Sequence, residues 1–151
     1  MKVSSEIPWV LSCFIVLSFP VADGFAGSGS SIVTVANTCN GVKRAEIKCD
    51  SLDPGQLWFP DQASSPTFPP GDALLLSEKL IGGLDFGKWG GGIVQRRIEI
   101  MPCGLTGGWI YVVFFLVEVD CGHPDGESID PVSIGVLMDG TVVELNDGAT
   151  H

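Results

Sequence analysis

The alternation of apolar and polar positions along the chain predicts a protein built mainly from strands. Residues 93–101 alternate between two faces, which is the pattern of an extended strand with one buried side. Residues 109–119 instead form a continuous apolar run rich in Val, Ile, Phe and Tyr, residue types that favour the interior of a sheet. We therefore predict an amphipathic strand followed by a central strand.

Two dipeptides mark hairpins in this pattern. Asn40-Gly41 joins the segments 31–38 and 42–49, and Asp139-Gly140 divides the segment 132–145 into two alternating halves. Both dipeptides favour the positive φ angles of tight hairpin turns. Strands spaced in this way, with almost no amphipathic helix between them, predict an antiparallel all-β sandwich or barrel.

The middle of the chain has a weaker pattern. Residues 50–71 are rich in Pro, Ser and Asp and are interpreted as a loop. Residues 73–81 are ambiguous, because the three leucines 74–76 would suit a buried strand whereas Ser77-Glu78-Lys79 would allow a helical turn. Two groups of glycines then enclose the short segment 84–89.

The amino-terminal residues have the features of an export signal. Lys2 supplies a positive charge, residues 9–19 are apolar, and Gly24-Phe25-Ala26 offers the small-x-small pattern that signal peptidase cleaves. We predict a signal peptide at 1–26 and a single secreted β domain at 27–151, and hence an extracellular location.

The cysteines agree with export. Behind the leader lie Cys39, Cys49, Cys103 and Cys121, an even number, which favours a domain reinforced by disulfides. If 109–119 is extended, its ends are about 33 Å apart, too far for Cys103 to reach Cys121. The strand that follows Asn40-Gly41 likewise carries Cys49 away from Cys39. The two pairings that join the first hairpin to the later part of the chain remain open.

The charge and hydropathy of the chain limit the classes of partner that it is expected to bind. The chain without residues 1–26 has 7 basic and 16 acidic residues, and such a surface repels phosphate backbones and anionic membranes. The run 109–119 is shorter than the roughly 20 residues that a membrane-spanning helix needs. We expect no nucleic-acid partner and no membrane insertion.

The polar residues give little indication of catalysis or metal binding. His123 and His151 are the only histidines, and no Gly-x-Ser-x-Gly motif accompanies them. The densest carboxylate group has spacings unlike those of a calcium loop and is interpreted as a solvated acidic loop. Its members are Asp120, Asp125, Glu127 and Asp130. We expect no enzymatic activity, no metal and no cofactor.

Aromatic side chains are the remaining candidates for ligand contact. Trp58 and Phe59 lie in the Pro-rich loop and are the best candidates for exposed aromatic residues. Either could stack on a sugar ring, although aromatic residues more often belong to the core.

Three short segments also carry a family resemblance. The first is a strand ending in Asn, followed by an apolar strand that runs into a segment of the Cys-x-Ser-x-Asp-x-x-Gly type. The second is a Pro-Gly strand start with a later Gly and Phe, and the third is a closing strand with an Asp-Gly turn. The matching residues are Val33, Val35, Asn37, Ile47, Cys49, Ser51, Asp53, Gly55, Pro70, Gly71, Gly82, Phe86, Asp139 and Gly140. Together they resemble the plant self-incompatibility family, the stigmatic S-proteins and their homologues.

That resemblance implies a specific fold and function. The fold would be a secreted, disulfide-stabilised antiparallel β-sandwich of about eight strands. The function would be that of a non-enzymatic ligand for a cell-surface receptor in cell–cell recognition, acting through loops between strands. The alternative that the aromatic residues suggest is a secreted domain that binds an extracellular glycan or the cell wall.

Overall fold

The computed structural model describes residues 31–124 and 126–147, so the predicted signal peptide 1–26 lies outside the described residues. Two short 3-10 turns, Cys49–Ser51 and Pro54–Gln56, lie between the second strand and the helix. The helix and strands are β1 (Ser31–Thr38), β2 (Gly41–Lys48), α1 (Pro70–Gly82), β3 (Ile93–Cys103), β4 (Gly108–Val119), β5 (Ser128–Val136) and β6 (Asn146–Asp147).

The strands form one antiparallel sheet in the order β3-β4-β5-β1-β2-β6. The prediction of a mainly antiparallel β domain is therefore confirmed. The described residues nevertheless form six strands and one helix, and not the expected sandwich of about eight strands. The difference arises at two places. The segment 73–81, whose pattern was ambiguous, lies in a helix, and the expected strand at 141–145 makes only an isolated bridge to β5.

The first hairpin is present, with its loop one residue earlier than the predicted Asn40-Gly41 turn. β1 and β2 pair along their whole length, from Ser31 opposite Lys48 to Thr38 opposite Gly41. The two-residue loop is Cys39-Asn40, and Gly41 has φ +112°, a conformation that side chains other than glycine rarely adopt.

The run 109–119 is confirmed as a central strand. β4 pairs with β3 on one side and with β5 on the other. Successive residues of a strand point to opposite faces, and both faces of β4 are buried in its first half. Tyr111 and Val113 belong to one apolar cluster, which includes residues of α1, whereas Ile110 and Val112 belong to a second.

The ambiguous segment 73–81 is part of α1. Pro70 occupies the first turn, where its missing N–H costs no hydrogen bond. The buried positions are Ala73, Ser77 and Ile81, four residues apart on one helix face, and the Ser77 hydroxyl donates to the Ala73 carbonyl oxygen at 2.8 Å. The buried face of the helix thus consists of two small residues and Ile81, while Leu75 is 64% exposed.

The Asp139-Gly140 turn is present, but the strand expected after it is not. The Asp139 carboxylate accepts from the backbone N–H of Thr141 at 2.8 Å, and Val143 donates to the Gly135 carbonyl. The chain then leaves β5 and reaches the far edge of the sheet, where β6 pairs with β2.

Two disulfides join distant parts of the chain. Cys39 pairs with Cys121 and Cys49 with Cys103, each with Cα atoms 5.2 Å apart. Both bridges are of the predicted long-range kind, and the structure selects one of the two pairings that chain geometry left open. Within 31–124 and 126–147, no helix has the length and apolar character needed to cross a membrane.

Candidate functional site

A short glycine-rich segment, residues 86–92, lies against the end of β4; we call it the glycine strap. Its backbone is fixed at both ends. Asp120 donates to the Phe86 carbonyl at 2.8 Å, and Gly91 donates to the Glu118 carbonyl at 2.8 Å. Glu118 in turn donates to the Gly92 carbonyl at 2.9 Å. The strap is therefore held to β4 by main-chain hydrogen bonds, independently of side-chain identity.

Glycine is required where the strap approaches β4 most closely. Gly87 has φ +90°, and a Cβ atom there would overlap the Asp120 carbonyl oxygen. A Cβ atom at Gly90 would overlap the carbonyl oxygen of Phe86, whose side chain is itself buried in the core. Only residues without a side chain allow this close approach.

Trp89 lies at the outer side of the strap and is 70% exposed. Its neighbour Lys88 places the ammonium nitrogen 5.1 Å from the centre of the indole ring, within the range of a cation–π contact. Because the backbone on both sides of Trp89 is hydrogen-bonded to β4, the ring is presented to solvent by a fixed support. A large aromatic side chain held in water in this way is a candidate contact residue for a partner.

An open depression of about 460 Å³ lies beside Trp89. The disulfide between Cys39 and Cys121 contributes to its wall, so the end of the first hairpin and the end of β4 are covalently joined at this point. Its lining residues are Cys39, Asp85, Gly87, Lys88, Trp89, Asp120, Cys121 and Gly122.

Asp85 connects the strap to the first hairpin. Its carboxylate accepts from the Gly87 N–H and from the Asn40 side-chain amide, both at 3.0 Å, and its carbonyl accepts from the Cys39 N–H at 2.8 Å. These contacts orient the carboxylate while leaving it further acceptor capacity, since an ionised carboxylate can accept about four hydrogen bonds.

Asp120 supplies a second carboxylate at the same depression. One of its oxygens accepts from the Gly122 N–H at 3.2 Å. With Lys88 as the one basic lining residue, the depression combines an aromatic face with two acceptors and one donor. This combination suits a ligand that has an apolar surface and hydrogen-bonding groups at its edge.

The aromatic residues favoured by the sequence lie elsewhere. Trp58 and Phe59 are half-buried and pack against the two apolar clusters. The Trp58 backbone exchanges hydrogen bonds of 2.9 and 2.8 Å with Trp109, and its indole N–H donates to the Ala63 carbonyl at 3.1 Å. Trp109 is near the start of β4, whereas the strap contacts its end, so the structure does not bring Trp58 and Phe59 together with Trp89.

The sequence contains only a partial indication of Trp89. It is a large apolar residue between two groups of glycines, but Phe86 in the same segment is buried, so the pattern does not tell which of the two is exposed. The close approach of Gly87 to Asp120 could not be derived in this way, because it depends on how the strap meets β4.

The described acidic and histidine candidates, including Glu127, lie between the end of β4 and the first residues of β5. Asp120 lines the depression and Asp130 is on β5, whereas Asp125 and His151 lie outside the described residues. His123 is exposed in the loop between β4 and β5. In the part of the chain that the structure describes, no three His, Cys, Asp or Glu side chains are grouped to hold a metal ion.

Comparison with known protein families, with curated proteins and with solved structures finds no match.

Proposed function

We propose that this protein is a secreted, non-enzymatic recognition ligand that binds a cell-surface receptor through Trp89 and the adjoining depression. The observation that carries the proposal is the fixed exposure of Trp89 on the glycine strap, where the ring is 70% exposed. Binding energy at protein interfaces is concentrated in a few residues, among which tryptophan is enriched.

Preorganisation supports this assignment. The strap is hydrogen-bonded to β4 on both sides of Trp89, and the Cys39–Cys121 bridge fixes the neighbouring wall. A surface that is already ordered loses little conformational entropy when a partner binds.

The chemistry of the depression supports binding over catalysis. Both of its cysteines are joined in the disulfide, so neither thiol is available as a nucleophile. Its two carboxylates each accept hydrogen bonds from backbone or side-chain donors of the loops, and its described lining residues include no histidine that could act as a general base beside them.

Export is part of the proposal. The leader pattern at 1–26 and the two disulfides both favour an oxidising, extracellular location. The resemblance to plant self-incompatibility proteins implies both export and a role as a ligand for a cell-surface receptor.

A glycan is the second candidate ligand, and one observation favours it. Trp89 provides an aromatic face next to the Asp85 and Asp120 carboxylates, which could accept hydrogen bonds from sugar hydroxyl groups. The cell-wall or carbohydrate-binding alternative would use this surface, since Trp58 is half-buried.

Two arrays separate the candidates. The protein is applied to an array of receptor ectodomains and to an array of defined glycans, as wild type, Trp89→Ala, Trp58→Ala and Leu75→Ala. Leu75 is a matched control because it is 64% exposed, does not line the depression, and lies in a helix that tolerates alanine.

The receptor proposal predicts binding to an ectodomain that Trp89→Ala loses and Leu75→Ala keeps. Binding to glycans alone, lost in the same variant, would replace it with the carbohydrate function. If Trp58→Ala, stably folded, lost binding while Trp89→Ala kept it, the Pro-rich loop would be the contact surface.

A further inference from the structure

β3 is a long edge strand. It has eleven residues and pairs on one side with β4, while the opposite edge of the sheet is the two-residue strand β6. Among the described residues, no backbone hydrogen bond joins the outer side of β3 to another segment. A long edge strand presents unpaired N–H and C=O groups that can pair with another strand.

Two opposite charges lie on one face of this strand. Arg97 and Glu99 are two residues apart, and the Arg97 Nε is 3.1 Å from a carboxylate oxygen of Glu99. The Arg97 guanidinium also lies over the ring of Phe114 on β4, 5.0 Å from its centre. Both charged groups are thus on the same face of the sheet, and about half of each side chain is exposed.

We propose that two copies of the chain pair antiparallel through β3, with Ile98 of one copy opposite Ile98 of the other. In this register Arg97 of each copy is opposite Glu99 of the other. Directly opposite residues in an antiparallel pair have their side chains on the same face, so the four charges form two complementary pairs.

The charges select this register over its neighbours. Centring the pair on residue 97 would place two arginines opposite each other, and centring it on residue 99 would oppose two glutamates. Like charges directly opposite are destabilising. The registers next to the one centred on Ile98 are those centred on residues 97 and 99, since any smaller shift would bring opposite faces of the two strands together. The charges of Arg97 and Glu99 therefore favour the register centred on Ile98.

Exposed apolar side chains lie along the same edge. Val94 is 52% exposed and Ile100 is 39% exposed, both on β3. In the proposed register Ile100 is opposite the aliphatic part of Arg96 of the second copy, whereas Val94 lies at the irregularity between Ile93 and Gln95 near the end of the paired region. Pairing would remove part of this apolar surface from water, which favours association.

The experiment measures the oligomeric state. Sedimentation equilibrium of the disulfide-bonded protein, from micromolar to near-millimolar concentration, is compared for wild type, Arg97→Glu, Glu99→Arg and the double charge swap. Arg44→Glu is the matched control for Arg97→Glu, because Arg44 is an exposed residue of β2 and the two substitutions change the net charge by the same amount and in the same direction.

We expect a monomer–dimer equilibrium that each single variant weakens by at least about tenfold, since two complementary pairs become repulsive. The double swap should restore the wild-type dissociation constant, and Arg44→Glu should leave it unchanged. Circular dichroism confirms that each variant is folded. A wild-type protein that remains monomeric throughout, or a dimer that is insensitive to the two single variants, overturns the proposal.

Hydrogen exchange gives a second readout that needs no variant. The β3 amides that do not donate to β4 should become protected as concentration rises through the dimerisation range. Dimer formation with these amides still exchanging freely would overturn pairing through β3. Neither experiment depends on Trp89, so the dimer and the receptor proposal fail separately.

Discussion

A Cβ atom at Gly87 would overlap the carbonyl oxygen of Asp120, so the backbones of the glycine strap and of β4 are in direct contact. This contact fixes the position from which Trp89 projects into solvent. It joins the most exposed aromatic residue among those described to the end of β4, an interior strand of the sheet.

Gly87→Ala should destabilise the protein more than Gly91→Ala. The two glycines have nearly the same φ, +90° and +91°, but nothing lies within 4 Å of a Cβ atom at Gly91. Both substitutions incur about 1–2 kcal/mol for the left-handed conformation, and Gly87→Ala should add about 1–3 kcal/mol for the overlap. Urea unfolding measures both values; equal losses of stability would show that the strap can move away from β4.

Removal of either disulfide should lower the free energy of unfolding by a similar amount. The bridges span 82 and 54 residues, and loop-closure entropy predicts about 4 kcal/mol for each. The double variants Cys39→Ser with Cys121→Ser, and Cys49→Ser with Cys103→Ser, are compared by denaturant unfolding.

The two disulfide variants should differ at the candidate site. The Cys39–Cys121 bridge lines the depression and Cys49–Cys103 does not. Only the first variant should therefore change partner binding while the protein remains folded. Loss of binding in the Cys49–Cys103 variant alone would argue against the site.

Tyr111 should make stability fall at alkaline pH. Its hydroxyl donates to the Phe68 carbonyl at 2.8 Å, and burial raises the pKa of this phenol above 10.0. Above pH 10 the unfolded chain therefore loses this proton before the folded protein does, and the free energy of unfolding decreases with pH until the folded-state pKa is passed.

Tyr111→Phe tests this account. Tyr111 is the single tyrosine of the chain, so the tyrosinate absorbance reports it alone. The wild-type titration should have its midpoint above 10.0. The phenylalanine variant should remove the tyrosine-dependent decrease and lose about 1 kcal/mol at neutral pH, the usual contribution of one hydrogen bond. A midpoint at or below 10 in the folded protein would contradict the burial of this side chain.

Acrylamide quenching should report mainly Trp89. Without residues 1–26 the protein has three tryptophans, of which Trp58 and Trp109 are half-buried and Trp89 is 70% exposed. Trp89→Phe should remove most of the readily quenched, red-shifted emission. Trp58→Phe is the control and should remove emission that is quenched poorly; the reverse pattern would place the exposed indole in the Pro-rich loop.

The strand pattern could be predicted wherever one short-range signal dominates. The alternation at 93–101 and the apolar run at 109–119 each correspond to a strand of the sheet. The hairpin predicted at Asn40-Gly41 is present, with Cys39-Asn40 as its two-residue loop. Chain geometry also excluded the two short-range cysteine bridges, because an extended β4 carries Cys121 away from Cys103.

Features that depend on tertiary contacts could not be predicted. The buried positions of α1 are Ala73, Ser77 and Ile81, so the neighbouring leucines gave a misleading strand signal. The exposure of Trp89 follows from the contact between Gly87 and Asp120, and neither residue indicates its partner in the sequence.

The most direct test of the central claim is the affinity of Trp89→Ala, compared with Leu75→Ala, for the ectodomain that the wild-type protein binds. The recognition proposal predicts that Trp89→Ala weakens binding by at least about 2 kcal/mol, as expected for a hot-spot tryptophan, while Leu75→Ala leaves the affinity unchanged. A folded Trp89→Ala variant that binds with wild-type affinity would contradict it.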